Sequence, residues 1–540
     1  MEINWRSIMQ KDNITKNERK GKKYNRRNPK VQDRKVERRD DYGKDVDTQK
    51  RNNDPGWYFL NSELADQASQ LSFQSIAGSG NLVEQYAVPT FAVVALNPSP
   101  GVTPNANLKF WPSRTGFNQS MFKFYTRLSM KSGRTASYAP QDVGMMVLAL
   151  GEVISMVEYI RRAFGVAFTY NERNRMYPYA AVKTMGIEPE DFFANQAAYR
   201  MRFNTDITQI NQIPIPSNIA YFMKCAQLYQ DIYLDTPDNA MAQSFMYVPA
   251  TTWILDETAF SGGSILRTVS VTCGLDDGNQ GIKSMDAMLD ILEAQIAALV
   301  GSSTLNVIYA DILNLVSQNQ IPMFKFDYLS EGYQVIPQYN ANACLQFNHI
   351  GGVGYARNNA FDLQNYITPR NDVYPNPNIN EVIYNPTFGG PAGNFNHDII
   401  VNLPTSNPSI ETRLEALRFT GMATDSRITI GDQAFSCNMA LPDHYCVSIY
   451  IYTNVNDPEA TMEVHSTSEL MNYHDNVGWV KLHAAISKFN HFPIMYVQQS
   501  TDPYSVLYVL GDLDYYTTVD FTYIGRLLSV VNQGLYEVRQ

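Results

Sequence analysis

Along the first 54 residues, apolar side chains are few and follow neither a helical nor a strand period. Such a stretch cannot bury enough surface to offset the entropy of ordering, so a flexible arm is expected there. Asp54-Pro55-Gly56 closes it with a turn signal. Beyond it the pattern becomes helical. Between Gln141 and Phe164, Val143, Met146, Val147, Leu150, Val153, Ile154, Val157 and Ile160 crowd several faces, which predicts a core helix. Asp142 near its start and Arg161 and Arg162 near its end suit the helix dipole, and Gly165 reads as the stop. A second helix is predicted over Asn218–Leu234, from an Asn cap to just before Pro237. Ile282, Met285, Leu289, Leu292, Ile296 and Leu299 recur at alternating spacings of three and four and form one stripe. After Gly301-Ser302-Ser303 the stripe resumes with Leu305, Ile308, Ile312 and Leu315. This pair is expected to form an antiparallel hairpin packed within its own subunit; the alternative is that one stripe belongs to a subunit interface.

The period changes again after Gln320. Seven prolines fall between Pro369 and Pro408, and Gly389, Gly390 and Gly393 add turn signals. Turns, short strands and long surface loops fit that stretch. Glu411–Thr420 is a short helix candidate, and Cys446–Tyr452, Ile494–Gln498 and Val506–Leu510 read as strands. Tyr515–Val531 is β-branched and aromatic at first and then apolar at Leu527, Leu528, Val530 and Val531, so it is expected to be buried.

Length alters the picture by allowing a large core: the chain has 540 residues. Charged residues are only 18%, with 34 Tyr and 26 Phe, which argues for extra neutral, aromatic surface of the kind buried against partners. The formal net charge of -10 conceals two opposed parts. Residues 1–54 hold 17 Lys and Arg against 10 Asp and Glu, a net of +7, whereas 55–540 hold 26 against 43, a net of -17. Five widely spaced cysteines with no CxxC pair argue against a disulfide framework. The N-terminus shows no apolar leader core, and the most apolar run, Val143 to Ile160, is broken by Glu152 and Glu158, so no membrane span is expected.

Candidate chemistry is thin. His465, His474, His483 and His491 form no HExxH or HxH pair, so no metal or other cofactor is expected. Asp276-Asp277-Gly278-Asn279 lacks the remaining ligands of a calcium loop and reads as a turn. Gly351-Gly352-Val353-Gly354 lacks the lysine that grips a phosphate, and no GxSxG elbow exists. Gly511-Asp512-Leu513-Asp514 lacks the paired aspartates of a polymerase site. The basic arm is different. Lys16, Arg19, Lys20, Lys22, Lys23, Arg26, Arg27, Lys30, Arg34, Lys35, Arg38 and Arg39 are opposed only by Glu18, Asp33 and Glu37, a net of +9. Clustered cations neutralise phosphates and release condensed counterions, so these twelve are the candidate nucleic-acid-binding residues. A nuclear-localisation signal, an anionic-membrane arm and a solubilising tail are the alternatives.

A basic arm ahead of a body rich in Tyr, Phe, Asn and Gln, with no catalytic signature, is the plan of many viral coat proteins. The run Asn61-Ser62-Glu63-Leu64-Ala65-Asp66-Gln67-Ala68-Ser69-Gln70-Leu71-Ser72-Phe73, followed by Ile76-Ala77-Gly78, resembles the start of the folded region in picobirnavirus capsid proteins, and Trp111-Pro112-Ser113-Arg114 with the helix-rich body after it is compatible with this. The resemblance implies a non-enveloped icosahedral particle around segmented double-stranded RNA, built from dimers, with the amino-terminal part facing the RNA. It also implies a mainly helical shell domain and a smaller projecting domain. In some members the amino-terminal part is cleaved by the capsid protein itself, but no cleavage residue transfers to this sequence.

The expected fold is therefore α+β: a predominantly helical shell domain, a smaller irregular or β-containing projecting domain, and a disordered basic arm. The expected division is 1–54 arm, 55–318 shell, 319–465 projecting region and 466–540 return to the shell. The expected function is a non-enzymatic coat protein that assembles with itself as dimers into an icosahedral shell. Its expected partners are viral double-stranded RNA, the viral polymerase and, transiently during entry, a host membrane. The virion, assembled in the host cytoplasm, is the expected location. Two alternatives from other classes stay open: an intracellular enzyme, for instance acting on carbohydrate, with a basic targeting tail, and an RNA-binding protein that does not assemble.

Overall fold

The computed structural model describes residues 62–70, 91–101, 115–132, 137–169, 177–237, 242–258, 263–272, 282–319, 321–350, 355–356, 367–376, 380–388, 399–430, 433–453, 463–466, 485–491, 493–498, 506–511 and 513–539. Two units separate along the chain, 1–74 and 75–540. In the first, the described element is a short polar helix, α1 (Ser62–Ser69), whose Ser69 hydroxyl donates to the Asp66 carbonyl at 2.7 Å.

In the second unit the apolar run FAVVALNP forms β1 (Phe91–Pro98), buried at every position. A strand without alternation is what burial on both faces requires. β1 pairs antiparallel with β15 (His444–Thr453), setting Phe91 against Tyr452 and Val94 against Ile449. On its other side it pairs parallel with β4 (Ser244–Pro249). The sheet order is β16 (Glu463–Ser466), β15, β1, β4, β3 (Tyr233–Leu234), β8 (Gln338–Tyr339). A second sheet runs β11 (Glu381–Phe388), β10 (Ile367–Asn376), β6 (Ile265–Ser270), β5 (Thr251–Asp256). Its proline-rich hairpin turns through Asn380 at φ 54°, and the β10–β11 register slips between Ile367 and Asn371, where Pro369 falls. Two short strands, β2 (Ile215–Pro216) and β7 (Met323–Phe324), make a separate pair.

The helix α2 (Gly116–Ser132) leads to α3 (Pro140–Ala167), around which the core assembles. Pro140 opens α3, and the Asp142 carboxylate accepts the Ala139 N–H at 2.7 Å, so an N-terminal donor is satisfied. α3 has the length and composition of a membrane span, and the apolar window that gives it this character is wholly buried in the protein. It packs against α2, α4 (Tyr177–Thr184), α6 (Ala220–Leu228), α7 (Met285–Gly301), β5 and β11. Two expectations about α3 change. Gly165 does not stop it: the helix continues to Ala167, and a Cβ at Gly165 would lie 2.5 Å from Val335. That glycine admits a neighbour rather than ending a helix. Arg162 does not serve the dipole from the surface: it is fully buried, donating to the carbonyls of Asp231 at 3.1 Å and Tyr247 at 2.8 Å.

The second predicted helix is shorter than expected, because Tyr233 and Leu234 leave it to join the main sheet as β3. α7 and α8 (Ser303–Ser317) carry the predicted stripe, with Leu289, Leu292, Ile296, Ile308 and Ile312 buried. Ser284 caps α7 and Ser302 caps α8, each accepting a backbone N–H through its hydroxyl. The pair is not an antiparallel hairpin: the chain bends by 76° at the break. One intervening residue, Ser302, is too short a loop for reversal. α5 (Pro189–Ile210) covers α7, where the Arg202 guanidinium binds Asp286, Asp290 and Glu293.

A smaller core lies apart from the first. β12 (Ile399–Leu403) pairs antiparallel with β19 (Tyr515–Val519), and α10 (Ile410–Ala416) and α11 (Phe521–Tyr536) close over them. Ile399, Val401, Leu403, Leu417, Val519, Ile524 and Leu528 fill it. Further strands are β13 (Met422–Ile430) with β14 (Gln433–Ala440), and β9 (Tyr355–Ala356), β17 (Met495–Gln498) and β18 (Val506–Leu510). α9 (Ala341–Ile350) joins the two cores through His349. The architecture is mixed α and β.

Candidate assembly surface

The twelve basic candidates, Lys16 to Arg39, lie outside the described residues, as do His474 and His483. Among the described residues no group of three or more His, Cys, Asp or Glu is placed to hold a metal ion.

The densest chemistry is internal. His444, at the start of β15, faces Asp443 through Nδ1 at 2.9 Å and Glu152 of α3 through Nε2 at 3.6 Å. The Lys224 ammonium of α6 binds the other oxygen of Asp443. The Thr252 hydroxyl donates to Glu152 at 3.0 Å, and Gln295 donates to Thr252 at 2.8 Å. Tyr221 stacks on the His444 ring, with centroids 6.3 Å apart. Burial alone pushes the Asp443 carboxyl up, but Lys224 and His444 outweigh it and hold the group far below the usual carboxylate range. Burial pushes His444 down, yet Asp443 and Glu152 prevail and the imidazole is held above its ordinary value. With His444 protonated, two carboxylates meet two cations, and the cluster is neutral. Its side chains are almost wholly inaccessible, apart from a small part of Lys224. A general base needs reach to a substrate proton; these groups reach only each other, and they tie α3, α6 and β15 together.

The surface offers more. Tyr515, Tyr516 and Tyr523 are 57%, 60% and 59% exposed; Ile410 and Leu414 of α10 and Val530 and Val531 of α11 are exposed as well. Thr517 and Thr518 are exposed as well, so both faces of β19 meet solvent over four residues. The strand is held from one side by β12 and from its end by Asp520, which caps α11 by accepting the Tyr523 N–H at 2.7 Å. Among the described residues no strand pairs with its outer edge. A cleft of about 620 Å³ runs beside it, lined by Leu403, Pro408, Arg413, Leu417 and the three tyrosines. A shallower groove lies over α5 between Met201, Asn204 and Tyr328.

The sequence pattern missed this surface. Aromatic and β-branched composition placed Tyr515–Val519 inside, and only Val519 is buried. The available signal was the lack of alternation in Tyr-Tyr-Thr-Thr, which gives no single buried face.

The charged cluster is sealed from solvent, and the β19 surface is exposed and rich in tyrosine. Residues 57–503 match the family model for the picobirnavirus capsid protein. The capsid protein precursor of a human picobirnavirus (strain Human/Thailand/Hy005102/-) is 21% identical over 405 residues, covering 70% of each chain. A crystal structure of the picobirnavirus capsid matches with a TM-score of 0.65 at 17% identity, covering 89% of this chain and 98% of that one. The chain belongs to the picobirnavirus capsid protein family, and so is a structural component of the virion of a double-stranded RNA virus.

Proposed function

We propose that the chain forms homodimers, that the dimers close into an icosahedral shell around double-stranded RNA, and that the basic segment 1–54 contacts the genome. The carrying observation is the family match across 57–503, together with the shared fold of a solved capsid. That match begins where the basic segment ends, which fits a body that builds walls and a leader that serves the cargo. The body's net charge of -17 would repel RNA, and the +9 between Lys16 and Arg39 would attract it. Within this reading 55–318 and 466–540 form a mainly helical shell. The stretch 319–465 supplies a smaller projecting domain, except for β8, β10, β11, β15, β16 and α9, which join the two larger sheets or the main core. Assembly in the host cytoplasm, a packaged polymerase and brief contact with a host membrane belong to the same proposal, on family resemblance.

Negative-stain microscopy of the expressed full-length protein tests it. Closed, uniform particles are expected. A small soluble species at high protein concentration, in dilute and in moderate salt, would overturn the reading.

A further inference from the structure

We propose that β19 is an assembly edge: it pairs antiparallel with β19 of a second copy, extending each two-stranded β12–β19 sheet across a two-fold axis. This rests on the coat-subunit reading and names the surface that reading would use.

Three observations carry it. First, the outer edge of β19 is open among the described residues, and Tyr515 to Thr518 are exposed on both faces. An open edge presents a row of backbone donors and acceptors, and proteins that must stay apart guard such edges with lysine, proline or a bulge. Tyr-Tyr-Thr-Thr-Val carries none of these, and its register with β12 is unbroken. Second, the strand itself is uncharged, whereas the body is strongly acidic. Copies that repel at long range can meet only where charge is absent or balanced. Third, the rim supplies the balance. Antiparallel pairing brings the Asp514 end of one strand toward the Asp520 end of the other. Arg413 lines the same cleft as Asp520 and has no carboxylate partner among the described residues. It is the counter-charge available to the incoming aspartate. Tyr515, Tyr516 and Tyr523 then give each copy rigid aromatic area at the centre, the residue type that anchors interfaces. A strand pairing with itself is isologous and closes at two copies, which makes a dimer rather than a fibre.

The experiment uses full-length protein with one exposed side chain changed to either sign. Thr517→Lys and Thr517→Asp are each purified alone and then mixed, and sedimentation and microscopy read dimers and particles. Each variant alone should weaken dimerisation about a hundredfold, because like charges face each other. The mixture should recover dimers and particles, because opposite charges then face each other. Melting curves matching wild type show that folding is intact. Variants that assemble like wild type, or a mixture that fails to recover although both components fold, would overturn the β19 edge. In either case wild-type particles would leave the coat-subunit reading standing. A wild type that forms none would remove that reading itself.

Discussion

Two buried histidines have opposite protonation preferences. His444 sits between Asp443 and Glu152, and its charged form is favoured. His349 is the reverse. Its Nδ1 lies 2.8 Å from the Leu345 carbonyl, and its Nε2 accepts the Asn402 N–H at 2.9 Å, so the neutral ring with hydrogen on Nδ1 is the one that fits. Burial, the larger effect, lowers its pKa, and protonation would set two N–H groups against each other. The linkage follows in sign. His444, with a raised folded pKa, contributes stability that is complete below its unfolded value of about 6.5 and fades as pH rises through the folded value. His349, with a lowered one, contributes stability that is complete above about 6.5 and fades as pH falls. In urea titrations across pH, His349→Gln should flatten the loss as pH falls below about 6.5. His444→Gln should flatten the alkaline side and cost about 3–5 kcal/mol in acid, since it leaves Glu152 buried without its cation. Identical pH profiles in wild type and variants would contradict both assignments.

At the scale of elements, the decisive contacts are close approaches. Gly151 lies in the middle of α3, where alanine has the better helix propensity by about 1 kcal/mol. A Cβ there would stand 2.2 Å from the Tyr221 ring of α6, and Tyr221 in turn stacks on His444. Overpacking of that kind costs about 1–3 kcal/mol or more. Gly151→Ala should therefore lower the melting temperature despite its propensity, and a higher melting temperature would show that α3 and α6 have room to part. Such contacts also mark what was legible in the sequence. The density of apolar positions revealed α3, and the apolar run Val506–Leu510 coincides with β18. Spacing alone marked the buried stripe of α7 and α8. Their 76° bend was not legible, because periodicity records a face and not an angle. Asn218–Leu234 read as one helix because its last residues have helical neighbours in sequence; pairing with β4 and β8 overrode local propensity. Burial of β19 was misjudged for a related reason. Apolar and aromatic composition tells that a surface is to be covered, not whether by its own chain.

Across the whole molecule the charge division sets the expected behaviour of truncated chains. Removing 1–54 takes away a net of +7 and leaves a body of net -17. Particles of this shorter chain should still form and should contain much less RNA, measured as the ratio of absorbance at 260 and 280 nm. Undiminished RNA would remove the proposed role of the basic segment. A peptide covering Lys16 to Arg39 should lose RNA affinity with rising salt, at a log–log slope of roughly -0.7 to -0.9 for each phosphate neutralised. A flat response would exclude a counterion-release mechanism. The proposal for Lys16 to Arg39 comes from sequence alone, because a charge run is local in the chain, whereas the proposed assembly face needed the structure, because an interface is gathered from distant segments.

The pairing of β1 with β15 also bears on when a subunit becomes whole. Asn97 meets Tyr445 across 348 residues of chain. At elongation rates of about 5–20 residues per second, the first strand waits roughly 20–70 s for that neighbour. Until then the parallel partner β4 alone can dock on it, and α3 lacks the Asp443–His444 clasp. The centre of the body is thus completed only after 348 further residues have been made, so a nascent chain that lacks β15 would not yet be competent for the proposed assembly.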